Sequence, residues 1–301
     1  MDRTPTGAAR RRVRITDAET ERRMLDAALD LIARRGMSVS LEHLSLEEVI
    51  ATSGVSRSSA YRRWPFKDLF FSDLLVELAR TTRLDQEGAG LAERARQQVA
   101  TVLAALPRQP VGAPPDRHEL VVELLRVTVQ ADFEAVWSSP NRRTHLALNA
   151  TYLGLPDGEL RQEIGRRLVG TERRLSARRA RVYAALTDLL GYRLTAPVPG
   201  PEGFTLMAEA TGSLVTGLMV RALADPDLVT RTRHVAAFGA RRPAEWSVPA
   251  MVIVGTMLSY LEPDPDRVAE PVDLARLSAR IELALQAALE PAADGPAADA
   301  S

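Results

Sequence analysis

Two short apolar segments hinged on a glycine, Leu46 to Leu69 (LEEVIATSGVSRSSAYRRWPFKDL), limit the folds open to this chain more than any other stretch. Leu46, Val49 and Ile50 recur at helical spacing. Ser45 stands where a hydroxyl caps a helix start, and Glu48 follows three residues later to complete a capping box. Ser53-Gly54-Val55 then breaks the helix, because glycine reaches positive φ without strain and Val55 can tuck into the bend. A second helix starts at Ser56. At about 100° per residue, Ala60 and Trp64 share one face, Ser58 and Arg62 lie opposite, and Ser59 and Tyr61 flank them. The pattern predicts a helix-turn-helix whose second helix packs by one face and leaves the other free.

The free face carries chemistry suited to DNA. Arg57, Arg62, Arg63 and Lys67 place four cations within eleven residues, with no acid before Asp68. Guanidinium groups suit guanine edges and phosphates, and hydroxyls suit phosphates and several base edges. The alternative is an ordinary helical corner with a solvated basic face. At these residues the chain resembles the TetR family of bacterial transcriptional regulators, matching its pattern at Ser45, Gly54, Val55, Ser56, Tyr61, Trp64 and Lys67. It departs from that pattern at Ser53, Ser58, Ala60 and Trp64, and in a longer stretch from Gly36 to Ser45. The expected operator-binding surface is Ser45, Arg57, Ser58, Ser59, Tyr61, Arg62 and Lys67. The resemblance implies phosphate contacts for Tyr61 and Lys67, and Ser58 and Ser59 are expected against base edges.

The flanking sequence extends the helical pattern. Met24, Leu25, Ala28, Leu29 and Ile32 form a stripe over about 17–35, stopped by Gly36. After Trp64, Pro65 suits the first turn of another helix bearing Phe70, Phe71, Leu74, Leu75 and Leu78. The expected organisation is a basic arm over 1–15, a DNA-binding domain over 16–64, a connecting helix over 65–82, a helical effector-binding and dimerisation domain over 83–290, and a tail over 291–301. The arm can track DNA grooves or serve only as a solubilising extension.

Composition narrows the class. Lys+Arg and Asp+Glu each number 39, so a chain that coats nucleic acid indiscriminately is disfavoured. Residues 1 to 80 hold 14 Arg or Lys against 12 Asp or Glu, and the excess gathers in the first fourteen residues and around Arg57 to Lys67. No cysteine is present, which removes disulfide frameworks and thiolate metal sites. The longest uncharged apolar stretch, Ser247 to Leu261, is shorter than the roughly 18 residues of a membrane span. A cytoplasmic protein without membrane insertion is expected.

Beyond Leu84 the chain shows helical periods and no sustained two-residue alternation, so an all-α fold is expected, with helices near 91–106, 118–137, 141–155, 158–190, 203–223, 246–261 and 271–289. Pro107 to Pro115 reads as a loop, and the Glu262-Pro263-Asp264-Pro265-Asp266 run as a linker. Ala210 to Val220 and Ser247 to Leu261 contain no charge, so neither has an obvious solvated face. The resemblance implies that this helix pair forms a four-helix bundle with a second copy, placing Gly212, Gly217, Met251, Gly255 and Leu258 in the seam. Two buried helices of a monomer are the alternative.

Arg142, His145, Asn149 and Tyr152 fall on one stripe of a predicted helix and, with Trp137 as a wall, make a candidate small-molecule site. A solvated helix face is the other reading. Four scattered histidines, no H-E-x-x-H, no phosphate-cradling glycine loop and no serine elbow leave no catalytic constellation, metal site or cofactor site to name. The expected function is a homodimeric, sequence-specific repressor released from a palindromic DNA operator by a small-molecule effector. The alternatives are a helical interaction protein and an effector-independent regulator or activator.

Overall fold

The computed structural model describes residues 15–36, 41, 44–82, 84, 93, 97, 100–102, 116–195, 198, 200–267 and 274–289. The arm, the tail, the loop at 107–115 and most of the helix expected at 91–106 lie outside them. Contacts divide the chain into two units, Met1–Thr82 with Arg143–Gly165, and Arg83–Arg142 with Arg166–Ser301. The fold is mostly helical.

In the first unit, α1 (Asp17–Arg35) begins at Thr16, whose hydroxyl accepts from the Glu19 amide, and ends at Gly36 with φ 85. Next come α2 (Leu46–Ser53), α3 (Arg57–Arg63) and α4 (Lys67–Thr81). Each turns an apolar stripe inward. Met24, Ala28, Val49, Phe70 and Leu74 are fully buried, and α1 packs on α2, α3 and α4. Trp64 closes this core. It meets Phe70 edge-on at 5.1 Å between ring centroids, and its indole N–H donates to Asp73 at 2.8 Å. α4 starts at Lys67, two residues later than Pro65 suggested.

The capping box at α2 does not form. Ser45 makes no side-chain cap, and Glu48 instead pairs with Arg35 at the end of α1. A charged bond between two helices thus displaces a local one.

Two helices run from one unit into the other, α6 (Pro140–Gly154) and α7 (Glu159–Leu189). The second unit also holds α5 (Arg117–Trp137), α8 (Pro201–Ala224), α9 (Asp227–Thr230), α10 (Val248–Ser259) and α11 (Leu274–Leu289). α10 packs against α5 and α8. The charge-free segments are therefore neighbours.

Among the described residues, four short strands depart from the expected helices and loops. β1 (Tyr192–Leu194) pairs antiparallel with β4 (Leu261–Pro263), and β2 (Thr232–Val235) with β3 (Ala244–Ser247). The segment from Glu262 is consequently no linker. It starts in a strand, the Asp264 amide then donates to the Gly191 carbonyl, and Arg267 pairs with Asp188. By length and composition α8 is apolar enough to cross a bilayer. Gly203, Met207, Ala208, Thr211, Leu218, Met219 and Ala222 are buried within the unit, and the other residues of α8 are exposed or half-buried.

Candidate functional site

The first candidate surface is built on the bend between α2 and α3. Gly54 takes φ 67 and ψ 12, a left-handed conformation that costs glycine little. Ser53 steadies the bend, donating to the Ile50 carbonyl and accepting from the Val55 amide. Ser56 caps α3 by accepting from the Ser59 amide at 3.2 Å, and its hydroxyl also meets those of Ser58 and Ser59. Ala60 and Trp64 are buried, while Arg57, Ser58, Tyr61, Arg62 and Lys67 are exposed and Ser59 is half-buried. The cations of α3 therefore stand on the face away from the core.

Those cations are not bare. Arg57 pairs with Glu47 at 2.8 Å, Arg62 with Asp17, and Arg63 with Glu21 at 2.9 Å. The Tyr61 hydroxyl donates to Glu47 at 2.6 Å, and that bond raises its pKa. All these groups are well exposed, so each pair contributes little to stability and can exchange for a phosphate. Among the described residues, none forms an ion pair with Lys67. Ser45 lies exposed at the start of α2.

The second candidate site is a partly open cavity of about 560 Å³ within the second unit. Its longest walls are one stripe of α5, positions 121, 124, 125, 128, 129, 132, 133, 135 and 136, and one stripe of α7 with the residue just after it, positions 175, 178, 179, 182, 183, 186, 187 and 190. Both follow the i, i+3, i+4 spacing of a single helix face. α8, α10 and α11 complete it through Met207, Val215, Ile253, Met257, Ile281 and Leu285. The volume falls within the range of small-molecule sites, roughly 300–1,000 Å³.

Of the residues the sequence proposed for a pocket, Arg142 lines this cavity. The others are placed elsewhere. Trp137 is half-buried at the end of α5 and is not among the lining residues. His145 is buried, and the Asn149 amide donates to the His145 carbonyl of its own helix. Tyr152 lies beneath Arg161, whose guanidinium sits 4.5 Å from the ring centroid and donates to the Tyr152 and Leu155 carbonyls. Its hydroxyl would stand 3.1 Å from a Cβ on Gly165. Those contacts fasten the corner between α6 and α7.

Sequence reasoning missed the polar groups that do face the cavity. Tyr183 shares a 3.0 Å hydrogen bond with Thr211, and burial raises its pKa. Tyr192 is pushed up to about 12, chiefly by burial and then by the charge of Asp116. His118 holds Tyr192 in place: its Nε2–H donates to the Phe238 carbonyl at 2.6 Å, so in the neutral ring Nδ1 accepts from the Tyr192 hydroxyl at 2.7 Å. Phe238 has φ 54 and Gly239 φ 78, so this bond secures a left-handed turn.

The proposed dimer seam resolves into two kinds of position. A Cβ on Gly212 would stand 2.6 Å from the Arg179 guanidinium, and one on Gly255 would stand 3.1 Å from the Phe238 ring. Both glycines admit contacts within the chain. Met251 and Leu258 pack partly on the cluster around Trp246. Gly217 is exposed with open space beside it, and Leu206, Val220 and Leu223 of α8 and Val252 of α10 are exposed as well. No protein-family model and no curated protein sequence matches the chain.

Proposed function

We propose that this protein is a sequence-specific DNA-binding transcriptional regulator of the TetR type, a homodimeric repressor released from a palindromic operator by a small-molecule effector. The observation that carries the reading is the α2–α3 corner. A left-handed Gly54 sets the bend, Ala60 and Trp64 anchor α3, and Arg57, Ser58, Tyr61 and Arg62 stand on its outer face. A helix so presented suits the major groove, where guanidinium and hydroxyl groups read base edges and phosphates.

The exposed apolar residues of α8 and α10 support dimerisation, since a second copy would cover them. A two-fold axis would then carry two recognition helices roughly 34–36 Å apart, the spacing of successive major grooves. The cavity in the second unit is the effector site of this reading. An effector would act only through its differential affinity for DNA-competent and DNA-released states.

One observation favours a second reading, an interaction protein that keeps the helical corner for packing. Arg57, Arg62 and Arg63 all bind carboxylates of α1 or α2, so the corner is internally satisfied without DNA. Selection of bound duplexes from a random pool with the full chain separates the two. Enrichment of a palindromic sequence supports the regulator, and a pool that stays random after repeated rounds overturns it.

A further inference from the structure

The cavity has a polarity, and that polarity specifies a ligand class. α5 and α7 run antiparallel along it: Arg117 at the start of α5 donates to the Leu190 carbonyl beyond the end of α7 at 3.0 Å, and further along α5 the charge of Asp132 acts on Tyr183, back inside α7. Val121 and Leu190 therefore mark one end, and Val136 and Leu175 the other, with Asp132 and Arg179 one turn short of it. Fifteen residues separate the two ends along each wall, about 22 Å at 1.5 Å per residue. The space is elongated.

Charge collects at one end only. Asp132, Ser139, Arg142, Arg178 and Arg179 line the cavity there, so the guanidiniums outnumber the carboxylates among the lining residues by three to one. The opposite end is walled by Val121, Leu186, Leu190 and Leu261, and the Tyr192 hydroxyl there is already given to His118. Midway, Tyr183 and Thr211 satisfy each other. A neutral polar ligand would find few partners along this wall, and a lipophilic cation would meet net positive charge.

We infer that the cavity binds an amphipathic monoanion, a carboxylate on a long unbranched apolar chain, with the head among Arg142, Arg178 and Arg179 and the tail toward Val121 and Leu190. The inference rests on the proposed regulator only in taking this cavity as its effector site. Planar guanidinium forks suit a carboxylate, and the apolar walls take the tail out of water. Arg179 is partly committed to structure, since it donates to the Ala208 carbonyl and lies against Gly212. Arg142 and Arg178 are the other two guanidiniums of the lining, and the test changes them together.

The test is calorimetric titration of the full chain with laurate, dodecanol and dodecylamine below their micelle concentrations. Laurate should bind about tenfold or more tighter than the alcohol, as expected for a charge-assisted contact, with the amine weakest. Arg142→Gln with Arg178→Gln should erase the preference for laurate over dodecanol. Val121→Phe should weaken laurate and spare hexanoate. The comparison among ligands needs no variant, so a misfolded mutant does not blunt it.

Equal affinity for laurate and dodecanol, tighter binding of the amine, or no binding of any of the three would each overturn the inference. The random-pool selection, run on the same preparation without ligand, fails or succeeds separately. Laurate binding by a chain that selects no duplex would leave the ligand class standing and remove the regulator.

Discussion

Gly54 and Gly217 make a matched pair whose substitution by alanine should move stability in opposite directions. A Cβ on either meets nothing within 4 Å, so neither change creates a clash and only the backbone decides. At Gly54, φ 67 and ψ 12 place an L-residue in the left-handed region at a cost of roughly 1–2 kcal/mol. A stiffer unfolded chain offsets about 0.4–1 kcal/mol of that, so Gly54→Ala should destabilise by about 0.5–1 kcal/mol. Gly217 lies inside α8, where alanine is favoured over glycine by about 0.5–1 kcal/mol. Gly217→Ala should therefore stabilise. Urea denaturation followed by far-UV circular dichroism reads both effects, since an unchanged slope lets the midpoints report stability. Gly54→Asn should fall between parent and Gly54→Ala, because asparagine tolerates the left-handed region better. A neutral or stabilising Gly54→Ala would refute the reasoning, as it would mean that residue 54 does not hold positive φ in solution. A destabilising Gly217→Ala at concentrations where the chain self-associates, and not on dilution, would place Gly217 in a packed seam.

Three further outcomes are expected. Arg62→Ala should weaken binding to a selected duplex and lower the salt slope by about one if Arg62 meets a phosphate, while changing stability by no more than about 0.5 kcal/mol in a denaturation curve. Val220→Arg with Leu223→Glu should give a monomer by light scattering where the parent is a dimer, because both side chains are exposed in the single chain and would be covered in the seam. Tyr192 has a folded pKa near 12 against roughly 10 when unfolded, so the unfolded chain releases that proton first as pH climbs. Stability should hold below about pH 10 and fall between about 10 and 12 by up to about 2–3 kcal/mol. Tyr192→Phe should flatten that fall in unfolding curves taken across pH.

What could be read in the sequence was local. The limits of α1, α2 and α3 follow from apolar spacing and from the glycines at 36 and 54, because a helix stripe and a left-handed stop are written within a few residues of each other. What escaped was non-local. Glu48 suits a capping box by position, yet Arg35, thirteen residues earlier, competes for it with two charged hydrogen bonds. β1 and β4 are three residues each, too short to show alternation, and their partners lie some 70 positions apart. The polar stripe on α6 has the spacing of one helix face, and spacing says nothing of what that face meets. The cavity walls on α5 and α7 look like ordinary core stripes, and Arg178 and Arg179 are lost among the other arginines of α7.

The acids around α3 bear on specificity if the proposed reading holds. A duplex attracts any exposed guanidinium through its phosphates, and that attraction is blind to sequence. Here Glu47, Asp17 and Glu21 already hold Arg57, Arg62 and Arg63, so a phosphate must replace a carboxylate and does not meet a free cation. The exchange is nearly neutral for an exposed pair, which leaves little net gain on arbitrary DNA. Base-edge contacts from Ser58 and the arginines add energy only where the sequence fits. The zero formal charge of the whole chain acts in the same direction, because no net charge draws it onto nucleic acid. Internal pairing of the corner, which taken alone favours an interaction protein, is thus also what a reader of one sequence among many would use to keep its non-specific binding weak.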